Sequence, residues 1–283
     1  MATTQLRLMV AGVIFLSISS VVSEESLYET PISAVDLIRE MIRNEVSPSD
    51  LTDEVRWQYR LLKEVDGEQQ TREVVETKSG SLDRLIAIAG KPLNDAQQRD
   101  ETERILRLLH SPGEQRKLEQ SRRRDAEQWD AFLKMFPDAF LFQYAGESDD
   151  SVKLTFTPNP GFSASSREGR ILHELAGEIW LDRKQRRLVS INGQLIAEVK
   201  FVGGLFGHLE KGGHFAVKRA EIIRGDWEMT EMTVNIRGKA LLLKTISLQQ
   251  KEFHHDFERV PADLSIADAA GLLLKQSLTA TRH

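Results

Sequence analysis

The chain has 283 residues, 40% hydrophobic and 29% charged, with a net charge of −5 and no cysteine. That length can bury one substantial core, as one large β domain or two small domains. The lack of cysteine excludes disulfides, and the mild acidity of the whole chain argues against a nucleic-acid or anionic-membrane binder.

Residues 1–23 read as a secretory signal peptide. Arg7 supplies a short positive region, Leu8 to Ile18 an apolar run, and Val21-Val22-Ser23 a small-residue cleavage site before Glu24-Glu25. A membrane helix needs about 20 apolar residues, and this run is shorter. Removing the segment takes away one basic residue and no acidic one, so −5 becomes −6. No cysteine follows that could carry a lipid. The expected product is soluble and exported, periplasmic or alternatively secreted, with membrane contact that is peripheral at most. One domain is expected over 24–260, with a helical insertion at 94–136 and a C-terminal tail at 261–283.

Pro31 to Val46 reads as a helix. Ser33 and Asp36 stand in capping-box position, and Val35, Leu37, Ile38, Met41 and Ile42 form an apolar stripe. From Glu54 the period becomes two: Val55, Trp57, Tyr59 and Leu61 alternate with Arg56, Gln58, Arg60 and Leu62, as in a half-buried strand. Asp66-Gly67 is a hairpin signal, followed by strands over Gln70–Thr77 and Leu82–Ala89, so an antiparallel meander is expected. Asn94 to His110 reads as a helix. Ser111, Pro112 and Glu114 open another, expected to end near Phe136 before Pro137. Its first half is dense in charge. Trp129, Phe132, Leu133 and Phe136 make only its end apolar, so that end anchors it while the other projects into water.

Further strands are expected over Phe140–Gly146, Val152–Thr157, Gly177–Asp182, Arg187–Val202, His214–Arg224, Trp227–Arg237 and Ala240–Phe257, with a helical turn near Ile171 to Leu175. Asn192-Gly193 reads as a bulge or turn, and Gly238 as a turn. Leu264 to Leu274 is one more amphipathic piece.

Catalytic signals are weak. There is no Gly-x-Ser-x-Gly, no cysteine nucleophile and no phosphate loop, so neither enzyme activity nor a cofactor is expected. His208, Glu210 and His214 are a metal-ligand combination of irregular spacing, and they read as turn residues rather than a metal site. His254-His255 point to opposite faces of a strand. Arg122-Arg123-Arg124 read as a solvated helix face, pairing Glu119 with Arg123 and Asp125 with Arg122. The apolar groups are more informative. Trp57, Tyr59, Phe140, Phe142, Phe156, Trp180, Phe201, Phe206 and Phe215 can line an apolar sheet face, or simply fill a core.

Several stretches carry a family resemblance: Met135-Phe136-Pro137-Asp138-Ala139-Phe140, the loop Pro158-Asn159-Pro160-Gly161-Phe162 with Ser166-Arg167-Glu168, the strand Gly177-Glu178-Ile179-Trp180-Leu181-Asp182, and Leu241-Leu242-Leu243-Lys244. With the element order, they make residues 30 to 258 similar to the bacterial lipoprotein-localisation carriers (LolA/LolB-like) and to related periplasmic lipoprotein-sensing regulators. More closely, it resembles an uncharacterised group of exported bacterial proteins in that superfamily. The resemblance implies an α+β fold, mainly antiparallel: a strongly curved open sheet, or incomplete β-barrel, covered by helices. It also implies a hollow for the acyl chains of a lipid or lipoprotein. The insertion at 94–136 is longer and more charged than a simple lid, and no arginine here is matched to the carriers' functional arginine. A shared fold does not fix shared cargo. The alternative is an envelope interaction or regulatory module that binds a protein partner through the charged helix.

Overall fold

The computed structural model describes residues 32–45, 55–163, 165–201, 207–240 and 244–280. The expected signal segment and Phe206 lie outside these residues, as do Leu241, Leu242 and Leu243. The compact unit over Ser33–His283 is α+β. Its first helix, α1 (Ala34–Glu45), buries Leu37, Ile38 and Met41. Ser33 caps it by accepting the Asp36 N–H at 3.2 Å while its own hydroxyl donates to the Asp36 carboxylate at 2.6 Å. Burying three such side chains contributes about 1.5–3 kcal/mol each.

The meander forms as expected from β1 (Arg56–Val65), β2 (Glu68–Thr77) and β3 (Gly80–Ile88), with a two-residue β4 (Lys91–Pro92). Asp66 and Gly67 have φ of 51° and 85°, which a two-residue hairpin of this hand requires. Alternation along β1 predicts that Arg56 faces water, yet it is 7% exposed. Its guanidinium donates to the Ala262 carbonyl at 2.6 Å and to the Thr77 carbonyl at 3.1 Å. The C-terminal segment covers that side of the sheet here, and single-strand alternation cannot report a second cover.

Two helices follow. α2 (Asp95–Leu109) has the full capping box of Asn94 and Gln97. α3 (Pro112–Ala139) runs three residues beyond its expected end and holds Pro137 in its last turn. Asn159 takes up the carbonyls there: its side chain donates to Asp138 at 2.9 Å and its N–H to Ala139 at 2.9 Å. A proline in a last turn forfeits one bond, and an external cap on the helix end lets the turn continue. At the other end the Ser111 hydroxyl accepts the Glu114 N–H at 3.4 Å, but the Ser111 N–H donates to the Leu108 carbonyl at 3.2 Å, so Ser111 caps the helix without a reciprocal bond from Glu114.

The remaining strands are β5 (Phe140–Glu147), β6 (Ser151–Pro158), β7 (Leu175–Asp182), β8 (Leu188–Leu195), β9 (Val199–Lys200), β10 (Gly207–Leu209), β11 (His214–Ile223), β12 (Asp226–Ala240) and β13 (Lys244–Val260). A short helix, α4 (Arg167–Leu172), starts earlier than expected because Ser166 caps it. The strand expected over 187–202 is two strands, β8 and β9. Asn192-Gly193 lie inside β8 rather than at a turn, and Gly238 lies inside β12. The last helix, α5 (Ile266–Ala280), packs Ala269, Ala270 and Leu273 against Val75, Leu82 and Ile105.

The strands form one curved sheet that does not close, in the order β4-β3-β2-β1-β13-β12-β11-β8-β7-β6-β5, with β10 also paired to β12 and β9 to β10. Helices pack mainly at its two ends: α2 and α5 on β2 and β3, and α1 and the end of α3 on β5. α3 therefore bridges the two edges of the open sheet. Its 28 residues span about 42 Å.

Candidate functional site: an apolar sheet face

In a sheet, directly paired residues share a face. One row runs Phe142, Phe156, Gly177, Gly193, Phe215, Val234 across six strands. The next runs Tyr144, Leu154, Ile179, Ile191, Val217, Met232, Glu252, Lys63. Alternation then places Phe140, Tyr59 and Trp57 on the same face. Of the nine expected lining residues, eight are described, and six of these thus share one face: Trp57, Tyr59, Phe140, Phe142, Phe156 and Phe215.

Two do not join them. Trp180 pairs with Lys153 in β6 and so points to the opposite face, where the Lys153 ammonium lies 5.7 Å from its ring. Phe201 is buried just past β9, with the Arg167 guanidinium 5.0 Å from its ring.

The apolar face has two aromatic ends. At one, Phe136 of α3 sits among Phe140, Phe142 and Phe156 with centroid separations of 4.9, 5.6 and 5.7 Å. Edge-to-face packing at these distances adds to plain burial. Beside this cluster, an open groove of about 720 Å³ lies between Val35 and Arg39 of α1, the strand residues Phe140 to Gln143, and Phe162. At the other end, Tyr59 stacks on His254 and Phe257 at 5.0 and 5.3 Å, and Trp57 meets Phe257 edge-on at 5.8 Å. Between the ends, Phe215, Val217, Met232, Val234 and Ile236 are half-buried.

The two glycines in the first row have a packing reason. A Cβ on Gly193 would lie 2.4 Å from the Phe215 ring. One on Gly177 would lie 2.8 Å from the Phe156 ring and 1.9 Å from the Asn192 carbonyl oxygen. The rings therefore lean over the glycines, and the aromatic surface is continuous across β6 to β11.

A polar group interrupts the face near β1 and β13. Glu252 accepts from Lys63 at 2.8 Å, Gln250 at 2.7 Å and His254 at 3.3 Å. Burial raises its carboxyl, but the bonds from His254 and Lys63 outweigh that and hold it at about 2. Trp57 donates through Nε1 to Glu228 and through its backbone N–H to Glu76, both at 3.0 Å. Burial, aided by Glu76 and Asp226, pushes Glu228 up to about 7 against the pull of Arg219 and Trp57. Burial likewise raises the Tyr59 phenol.

Sequence reasoning passes over Met232, Val234 and Ile236, although they alternate with Glu231, Thr233, Asn235 and Arg237 and carry the signal of a half-buried strand. His208 lies 3.4 Å from Glu198, while the Glu210 N–H bonds Arg237 and His214 opens β11. Among the described residues no three histidines or carboxylates gather as metal ligands. His254 and His255 do diverge: His254 stacks on Tyr59, and the exposed His255 lies 3.2 Å from Asp256.

No family model matches the sequence, and no curated protein matches it. Among solved structures, a DUF1329 family protein from Desulfovibrio piger is similar at 10% identity and a TM-score of 0.29, over 83% of this chain and 97% of that one. MucB, solved in complex with MucA(peri), is similar at 10% identity and a TM-score of 0.23, over 79% of this chain and 94% of that one. The Pseudomonas aeruginosa MucA/MucB complex gives 11% identity and a TM-score of 0.23, over 84% and 96%. Likenesses this weak say nothing of cargo or partner.

Proposed function

We propose that this is an exported, non-enzymatic binding protein that holds the acyl chain of a lipid or lipidated protein on the apolar face of its sheet. The carrying observation is the apolar row from Phe142 to Val234, in which Phe142, Gly177, Phe215 and Val234 are half-buried while Phe156 and Gly193 are buried. The groove beside Phe140 and Phe142 continues this surface at one end, with a volume in the range of ligand sites. Each methylene placed there contributes about 0.8 kcal/mol, so one acyl chain supplies useful affinity. Export is carried by the segment 1–23, and no described helix is long and apolar enough to cross a membrane.

Native mass spectrometry of the mature protein, purified from a bacterial periplasm without detergent, tests the reading. The expected result is a bound mass that organic solvent releases as phospholipid or acyl-peptide. A clean apo mass, unchanged after incubation with lipid, would sink it.

A second reading, a module that binds a protein partner, is favoured by α3. Among the described side chains between Gly113 and Ala131, none is buried. That reading expects the apo mass and a partner lost when the exposed charges of α3 are replaced. Deleting 94–136 would not separate the two readings, because Ile105 and Phe136 belong to the core.

A further inference from the structure

The two edges of the open sheet are finished differently. At one, α2 and β4 take up backbone groups that β3 turns outward. The Asp83 carbonyl accepts from Arg104, the Leu85 N–H donates to Glu101 at 2.7 Å, and the Ile86 carbonyl accepts the Leu93 N–H at 3.2 Å. At the other edge, β5 has one neighbouring strand, β6. The Asn159 N–H donates to the Ala139 carbonyl at 2.9 Å, so Phe140 and Pro158 are a pair that exchanges no hydrogen bonds, as suits a proline. The pattern alternates along the ladder. Phe142 and Tyr144 therefore also turn their backbone N–H and carbonyl groups away from β6, in the plane of the sheet. Those of Phe142 have no partner among the described residues. β5 carries neither proline nor lysine, the residues that protect edges, and Leu141 is 49% exposed. The groove of about 720 Å³ runs along Phe140 to Gln143, against α1 and Phe162, and gives a further strand room.

Unpaired edge amides fit one kind of ligand, an extended backbone, and charge narrows which. Arg39 is paired with Asp36 at 2.9 Å, and Glu147 with Arg183 at 2.7 Å. Asp138, exposed at the Phe140 end of the groove, has no cation partner among the described residues. It stands in the last turn of α3, which holds no basic residue, so the negative end of the helix dipole adds to its charge. That end of the groove calls for a cation. We infer that the free edge of β5 receives an extended segment of another protein as an added strand, apolar towards Val35 and Phe162 and with a lysine or arginine beside Asp138. Main-chain bonds give such strand addition its affinity, and side-chain contacts its selectivity. A second copy of β5 fits poorly. Its one charge is Glu147, and antiparallel pairing centred on Phe142 would set that acid beside Asp138. The inference goes beyond the acyl reading and stands without it, because the edge amides lie in the sheet plane and the acyl row lies on its face.

Fluorescence anisotropy tests the inference, using the full mature chain (residues 24–283) and labelled, end-capped peptides. The parent probe is Lys-Val-Thr-Val-Thr-Val, and a second carries Glu in place of Lys. Two further probes are the parent with N-methyl groups on one or the other alternate set of residues. The parent is expected to bind and the Glu peptide to bind more weakly. One N-methyl set removes the donors that face β5 and should weaken binding about fivefold or more, while the other set leaves it unchanged. On the protein, Asp138→Lys should reverse the preference between the Lys and Glu peptides. Phe142→Pro removes the outward N–H without touching the ladder to β6, and should weaken the parent about fivefold. Absence of parent binding, equal loss from both N-methyl sets, or an unchanged charge preference in Asp138→Lys each overturns the inference. So does a dimer in sedimentation that Phe142→Pro abolishes, since a second copy would then hold the edge. A bound acyl mass in native mass spectrometry requires none of these results, so the strand site and the acyl site fail separately.

Discussion

Glu228, which accepts from Trp57, and Glu252, which accepts from Lys63, respond oppositely to pH. Glu228 is held at about 7 when folded, above its ordinary 4.5. The folded state therefore binds more protons than the unfolded one between pH 4.5 and 7, and its stability falls as pH rises through that window. Glu252 is held at about 2, so its contribution is present above pH 4.5 and is lost as pH falls towards 2. Together they place the optimum of this pair near pH 4.5 to 5. Glu228→Gln keeps an acceptor for Trp57 Nε1 and removes the titration. Urea unfolding at pH 5 and pH 8 should show wild type weaker at pH 8, by on the order of 2 kcal/mol from this group. The variant should show little of that difference, and an unchanged slope would mean that other groups set it.

The same residue scale explains what alternation alone conveys. Trp57, Tyr59 and Phe215 fall on one face because odd residues of β1 and β11 do, and that is visible in the pattern. Trp180 is legible only as an aromatic in a strand. Its face depends on which β6 residue it pairs with, and pairing is a long-range fact. Arg56 escapes the pattern for a related reason: its carbonyl partners Thr77 and Ala262 come from 21 and 206 residues away.

At the scale of elements, glycine separates two kinds of position. Gly177 sits in mid-strand under the Phe156 ring and against the Asn192 carbonyl, whereas Gly271 of α5 has no atom within 4 Å of its would-be Cβ. Gly177→Ala should destabilise by roughly 1–3 kcal/mol, because a strand must shift to admit the methyl. Gly271→Ala should stabilise by about 0.5–1 kcal/mol, since helical glycine is entropically costly and nothing opposes the methyl. Paired urea titrations give both signs, and a neutral Gly177→Ala would mean that the ring packing is loose.

Helix ends show the limits of local rules. Ser33, Asn94 and Ser166 are readable as caps or turn residues, and each accepts an N–H at the start of its helix. Pro137 reads as a stop, yet Asn159 lets the helix run on. That cap comes from a loop on the far side of β5 and β6, which a local rule does not survey. α5 shows the same limit in packing. Its amphipathic pattern is plain, but its docking site is the surface that Val75, Leu82 and Ile105 build together.

At the scale of the whole molecule, the first long strand pairs with the last: β1 lies between β2 and β13. The meander therefore joins the remaining sheet only through β13. A chain ended at residue 240 lacks that strand and leaves β1 and β12 each with an open edge. Circular dichroism and thermal unfolding of this truncation should show loss of the cooperative transition, not two smaller stable parts. A retained, sharp transition would mean that the β5–β12 portion folds alone.

The sequence by itself determined the local elements: the meander with its Asp66-Gly67 turn, the capped helices, the alternating strands and the charge density of α3. These come from periodicity, capping chemistry and turn residues, which act over a few positions. Only the tertiary structure decided the order of strands, the face on which each aromatic lies, the docking of α5 and the bridging course of α3. Each of these depends on contacts between residues tens to hundreds of positions apart, and the burial that selects among such contacts is a property of the assembled sheet rather than of any segment.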